Sequence, residues 1–150
     1  MSAADTSLTD LYRQTVLSHS RHPHNRRRPQ AYDHEAEGHN ALCGDKIHVY
    51  LRLQDDVLAD VAYEASGCAI SLASASMMSD AVTGRTVAAT RQSIDDFMAG
   101  LSGPETGKLE GELAALGGVR DYPSRIRCAT LPWQALRAAL DAVQETVTTE

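Results

Sequence analysis

Residues 47–53 alternate strictly. Ile47, Val49, Leu51 and Leu53 are apolar, and His48, Tyr50 and Arg52 stand between them. A period of two predicts a half-buried strand. Gln54-Asp55-Asp56 reads as a short turn. Val57 to Ser66 reads as the returning strand, with Ala59, Val61, Tyr63 and Ala65 on one face. The two predict an antiparallel hairpin, to which residues 32–39, a weaker alternation, add a third strand. Ahead of them, Ser7 and Asp10 form a helix-start signal. Leu8, Leu11, Tyr12 and Thr15 then share one helical face, and His22-Pro23 ends the run.

After Gly67-Cys68 the period becomes helical. Residues 69–83 carry Leu72, Ala73, Met77 and many small side chains, so this helix can lie close on a sheet; Gly84 ends it. A second helix is expected from Ser93, with Asp96 three residues on, packing through Ile94, Phe97, Met98 and Leu101. Residues 102–107 read as a loop. Leu109, Leu113 and Leu116 predict a short amphipathic helix ended by Gly117-Gly118. A last helix, from Pro123 or Pro132 to about Thr146, is expected to bury Trp133, Leu136, Leu140 and Val143. The fold class is therefore α/β (α+β): a small three-stranded antiparallel sheet with helices packed on one face. No repeat or shift in composition divides the chain, so residues 1–150 read as a single domain with an insertion at about 100–121.

The 150 residues support one modest core, and with one Trp and one Phe it must be aliphatic and alanine-rich. A net charge of -6 argues against general nucleic-acid binding. No apolar run reaches the length of a membrane span, and Met1 to Thr9 is polar, without a hydrophobic signal segment. The expected compartment is the cytoplasm. The basic stretch from Arg21 to Pro29, with Arg26, Arg27 and Arg28, reads as a solvated loop or as a docking patch for an acidic partner.

The chemistry concentrates in Cys43-Gly44-Asp45, Gly67-Cys68 and Arg127-Cys128. Three is an odd number, so a full disulfide framework is excluded. Each cysteine taken singly reads as an inert core thiol, since free cysteine is among the most buried residue types. Three at element junctions, two flanked by glycine, point instead to a site that other atoms must approach. Cys68 is expected at a strand-to-helix junction, and Cys128 at or near the start of the last helix beside Arg127. Both positions favour thiolate. Cys43 falls on a loop and is expected to be the most mobile. Asp45, two residues from Cys43, either joins it on one ion or makes a local turn bond. Three thiolates and a carboxylate suit Zn²⁺, and iron is chemically possible. There is no Cys-x-x-Cys pair, so neither a zinc ribbon nor a thioredoxin-type redox pair is indicated. The histidines crowd the first third and read mostly as surface or strand-face residues, with His22 and His24 as candidates for the edge of the site.

Leu11-Tyr12-Arg13, the run His22 to Asn25, Asn40 to Asp45, Ser66 to Ser71 and Arg125 to Trp133 resemble the NifU-N/IscU-like proteins of iron–sulfur cluster assembly. Within them the chain is most similar to the SufU type. The segment at about 100–121 resembles an insertion that type carries, and Arg127 stands where IscU has a histidine beside its last cysteine. The stretch Arg26-Arg27-Arg28-Pro29 is more basic than the family pattern and lacks its glycine. The resemblance implies metal ligands at Cys43, Asp45, Cys68 and Cys128. It implies a zinc-dependent sulfur acceptor, with Cys43 taking persulfide sulfur from a PLP-dependent cysteine desulfurase of the SufS type and passing it toward downstream Suf scaffold proteins. The alternative is a scaffold that assembles a nascent [2Fe–2S] cluster on the same ligands. A third reading, a metal-free binding module with inert thiols, predicts no bound metal.

Overall fold

A computed structural model describes residues 13–102, 109, 111–142 and 147–148. Helix α1 covers residues 13–21. It is followed by β1 (His34–Asn40), β2 (Asp45–Gln54), β3 (Val57–Ser66), α2 (Ala69–Val82), α3 (Val87–Ser102), a 3-10 helix (Gly111–Val119), α4 (Pro123–Leu140) and β4 (Val147–Thr148). The sheet order is β3-β2-β1-β4. The antiparallel pairings β1–β2 and β2–β3 are those the alternation predicts. The fourth strand is an addition: Val147 and Thr148 pair in parallel with Gly38 and His39. Two residues are too few for periodicity to reveal.

Helices α2 and α4 pack against the sheet, where Ile47, Val49, Leu51, Val61 and Tyr63 are buried. Above them Phe97 of α3 stacks on Trp133 of α4, ring centroids 4.3 Å apart. The register shifts between Arg52, opposite Asp60, and Leu53, opposite Leu58. Ala59, expected on the inner face, is the residue this bulge leaves over. Leu58 takes the inner position and is fully buried, as is Val61 three residues on.

Several helix bounds differ from expectation. Helix α3 begins at Val87 rather than Ser93, because the Thr86 hydroxyl accepts the Ala89 N–H at 3.1 Å and caps the helix there. Ser93 lies inside it and donates to the Ala89 carbonyl. The 3-10 helix runs through Gly117-Gly118 to Val119 instead of stopping at the glycines. Helix α4 starts at Pro123, where a missing N–H costs nothing, and continues through Pro132 to Leu140, short of the expected Thr146. Trp133, Leu136 and Leu140 are buried as predicted; the expected start at Ser7, the loop from 103 and Val143 fall outside the described residues. Pro132 cannot donate to the Cys128 carbonyl, and the Ser74 hydroxyl of α2 bonds the next carbonyl, Ala129, at 2.5 Å.

The arginine stretch is tied down along β3, while Arg26, Arg27 and Arg28 stay exposed. The Arg27 N–H donates to the Tyr63 carbonyl, the Arg26 guanidinium to the Ala65 carbonyl, and the Arg27 guanidinium pairs with Asp60 at 2.5 Å. Two of the three side chains thus strap the segment along β3 and cover that edge of the sheet.

Candidate metal centre

The β1–β2 connection carries Cys43. Asn40 and Asp45 face each other at its base, and the Asn40 side-chain oxygen accepts the Leu42 N–H at 3.1 Å, shaping the turn. Gly44 closes it with φ +69, a conformation glycine takes without strain. Cys43 is therefore half-buried on a tight connection, beside Leu42, which is 69% exposed.

Asp45 opens β2 and is fully buried. Its carboxylate reaches out of its own turn: Oδ1 accepts the backbone N–H of Cys68 at 2.8 Å, and Oδ2 lies 3.8 Å from the Cys68 Sγ. The approach depends on Gly67, whose φ is +138; a Cβ there would stand 2.8 Å from the Asp45 Cα and closer still to its carboxylate. Cys68 is the residue just before α2, extended and without a side-chain cap bond. It thus stands at the N-terminus of α2, as the junction predicts.

Cys128 departs from expectation. Helix α4 starts at Pro123, so Cys128 lies in its second turn rather than at its end, and it is fully buried. Burial pushes its thiol well above the ordinary range, and the hydrogen bonds this thiol donates to Cys43 and Asp45 add to this. The helix terminus does not favour a thiolate there.

The sulfurs of Cys43 and Cys128 are 2.9 Å apart. Atoms of Cys43, Asp45 and Cys128 able to ligate a metal all lie within 4.8 Å of one another. Cys68 adjoins that trio, its thiol meeting both the Asp45 carboxylate and the Cys128 sulfur. Two sulfurs and a buried carboxylate, with a third sulfur adjoining, are a mixed soft and hard donor set of the kind that zinc accepts and that iron–sulfur units also use.

Histidines 22 and 24 are exposed, as the surface reading expects, and stand apart from the trio of Cys43, Asp45 and Cys128. His24 bonds Ser76 and Asp80 of α2, eight and twelve residues past Cys68, which is about 12 and 18 Å along a helix. Sequence reasoning missed His19, which is buried against Ser76 and Glu112. The available signal was the set of serines at 71, 74, 76 and 79 in α2, all buried, since buried hydroxyls need partners.

The model of the family NifU-like N terminal domain matches residues 11–148. A zinc-dependent sulfurtransferase SufU of Bacillus subtilis is 37% identical over 136 residues, covering 88% of this chain and 90% of the relative. An iron-sulfur cluster assembly scaffold protein IscU of Streptococcus pyogenes is 36% identical, covering 90% and 86%. Among solved structures, the N-terminal part of a nitrogen-fixing NifU-like protein from Brucella abortus superposes with a TM-score of 0.76 at 28% identity, covering 91% of this chain and 96% of that one.

Proposed function

This chain belongs to the NifU-like N-terminal domain family, and from that premise we propose that it serves iron–sulfur cluster assembly as a zinc-dependent sulfur acceptor of SufU type. The observation that carries this reading is the convergence of Cys43, Asp45 and Cys128, with Cys68 tied to Asp45. Those four residues are the proposed ligands. Bound zinc would hold buried thiols as thiolates at neutral pH. The relative named as zinc-dependent is 37% identical to this chain over 136 aligned residues.

Cys43 is the proposed acceptor because it is the ligand on a loop and is only half-buried. Its thiolate attacks the terminal sulfur of a persulfide on a donor cysteine. The donor's S–S bond breaks, the donor cysteine leaves as thiolate, and Cys43 holds the new persulfide, with no net oxidation. Cys68 and Cys128 stay anchored, one ahead of α2 and one within α4. The donor is a PLP-dependent desulfurase of the SufS type, and Leu42, exposed next to the acceptor, offers it an apolar contact.

The second reading, a scaffold for a nascent [2Fe–2S] cluster on the same residues, draws on the relative named as a scaffold. Metal content of protein purified without added iron separates the two. One equivalent of zinc in colourless protein is the expected result. A brown protein with visible absorption supports the scaffold, and protein without metal overturns both.

A further inference from the structure

A second cluster of metal-ligating side chains lies beside the C-terminal half of α2, remote from the cysteines. His19 of α1 is 5% exposed. Its Nδ1 is 2.7 Å from the Ser76 Oγ, and its Nε2 meets the Glu112 carboxylate at the start of the 3-10 helix. His24, on the segment after α1, places Nδ1 2.5 Å from Asp80 Oδ2. The two imidazoles are 4.7 Å apart, centroid to centroid. His19, His24 and Asp80 each offer a ligand atom, and the three atoms lie within 4.8 Å of one another.

The surroundings orient these atoms. A metal-binding histidine usually has its other ring nitrogen held by a hydrogen-bonding group, which sets the tautomer and the ring angle. Ser76 does this for His19 at Nδ1, while Nε2 meets the Glu112 carboxylate, and the same Ser76 oxygen accepts the His24 N–H at 2.8 Å. Asn25 donates to Asp80 Oδ1 at 3.2 Å and to the Ser79 Oγ at 2.9 Å, leaving Oδ2 toward His24. A cleft of about 440 Å³ lined by Asp80 and Glu112 gives an ion and its waters a way in.

We propose that His19, His24 and Asp80, with Glu112 as fourth donor, form a divalent-cation site of nitrogen and oxygen ligands, independent of the cysteine centre. Imidazole and carboxylate without thiolate select borderline cations such as Zn²⁺, Co²⁺ and Ni²⁺. The donors come from α1, the segment after it, α2 and the 3-10 helix. Bound metal therefore clamps the N-terminal segment and the 3-10 helix to α2, and binding adds to folding stability.

Co²⁺ titration of the full chain tests this, because the two centres have different spectra. Cobalt on thiolates gives intense charge-transfer bands, whereas cobalt on nitrogen and oxygen gives only weak ligand-field bands. The expected result is a weak-band cobalt equivalent that persists in Cys43→Ser. It loses at least tenfold in affinity in both His24→Gln and Asp80→Asn, which change half-exposed side chains. The thiolate bands, where present, are unchanged in those two variants. A wild-type chain without the weak-band equivalent overturns the proposal, as does an equivalent indifferent to both substitutions. Neither outcome bears on the cysteine centre.

Discussion

Asp45 and Cys68, on different elements, are held together by a 2.8 Å hydrogen bond from the Cys68 backbone N–H to the Asp45 carboxylate. One buried side chain thus orders the end of β2, the start of α2 and the floor of the proposed metal centre. Replacing Asp45 separates its two roles. Asp45→Asn keeps an acceptor for the amide and removes a charged ligand, so it should weaken zinc binding with little effect on apo-protein unfolding in urea. Asp45→Ala leaves the amide unpaired and should also cost about 1–3 kcal/mol of apo stability. Equal apo stability of the two variants would remove the amide bond from this account.

Gly67→Ala should be far more damaging than Gly84→Ala, although both glycines have positive φ. At Gly84 an added Cβ meets open space, whereas at Gly67 it meets the Asp45 backbone and carboxylate. Thermal unfolding should show a backbone cost on the order of 1 kcal/mol at Gly84 and at least twice that at Gly67, with impaired metal binding only at Gly67.

Cys43→Ser should abolish stimulation of a SufS-type desulfurase, read as sulfide release under reducing conditions, while the circular dichroism spectrum stays native. The residue is half-buried on a connection, so the fold does not hang on it. Undiminished stimulation would remove Cys43 from the acceptor role.

Leu42→Asp should raise the concentration of this protein needed for half-maximal stimulation, by about tenfold if one apolar anchor worth about 1.4 kcal/mol is lost. Zinc content should not change, because the Leu42 side chain is exposed.

Stability should fall as pH rises from about 10 toward about 12. Burial raises Tyr63 and Tyr50 to about 12 from an ordinary 10, and for Tyr50 the hydrogen bond to Glu64 adds to it. Between those values the unfolded chain has lost the phenolic protons that the folded protein keeps, so unfolding gains with pH. Urea unfolding across that range should show a shallower slope in Tyr50→Phe than in the unaltered chain.

The hairpin, the helix after Cys68 and the buried stripe of α4 were legible in the sequence because each is a local period of apolar positions. The glycines beside Cys43 and Cys68 were legible for a related reason, since a turn restricts the residues that can make it. Other features needed the third dimension. The early start of α3 rests on one Thr86 hydroxyl, the inward turn of Leu58 on a bulge, and β4 on an edge of β1 that two residues happen to meet. Whether Asp45 would bond its own turn or reach Cys68 was undetermined in one dimension. So was the meeting of His19 with Ser76, fifty-seven positions away. Periodicity records which face of an element is buried. Which side chains then share a point in space follows from how those faces stack, and that is decided only when the helices settle on the sheet.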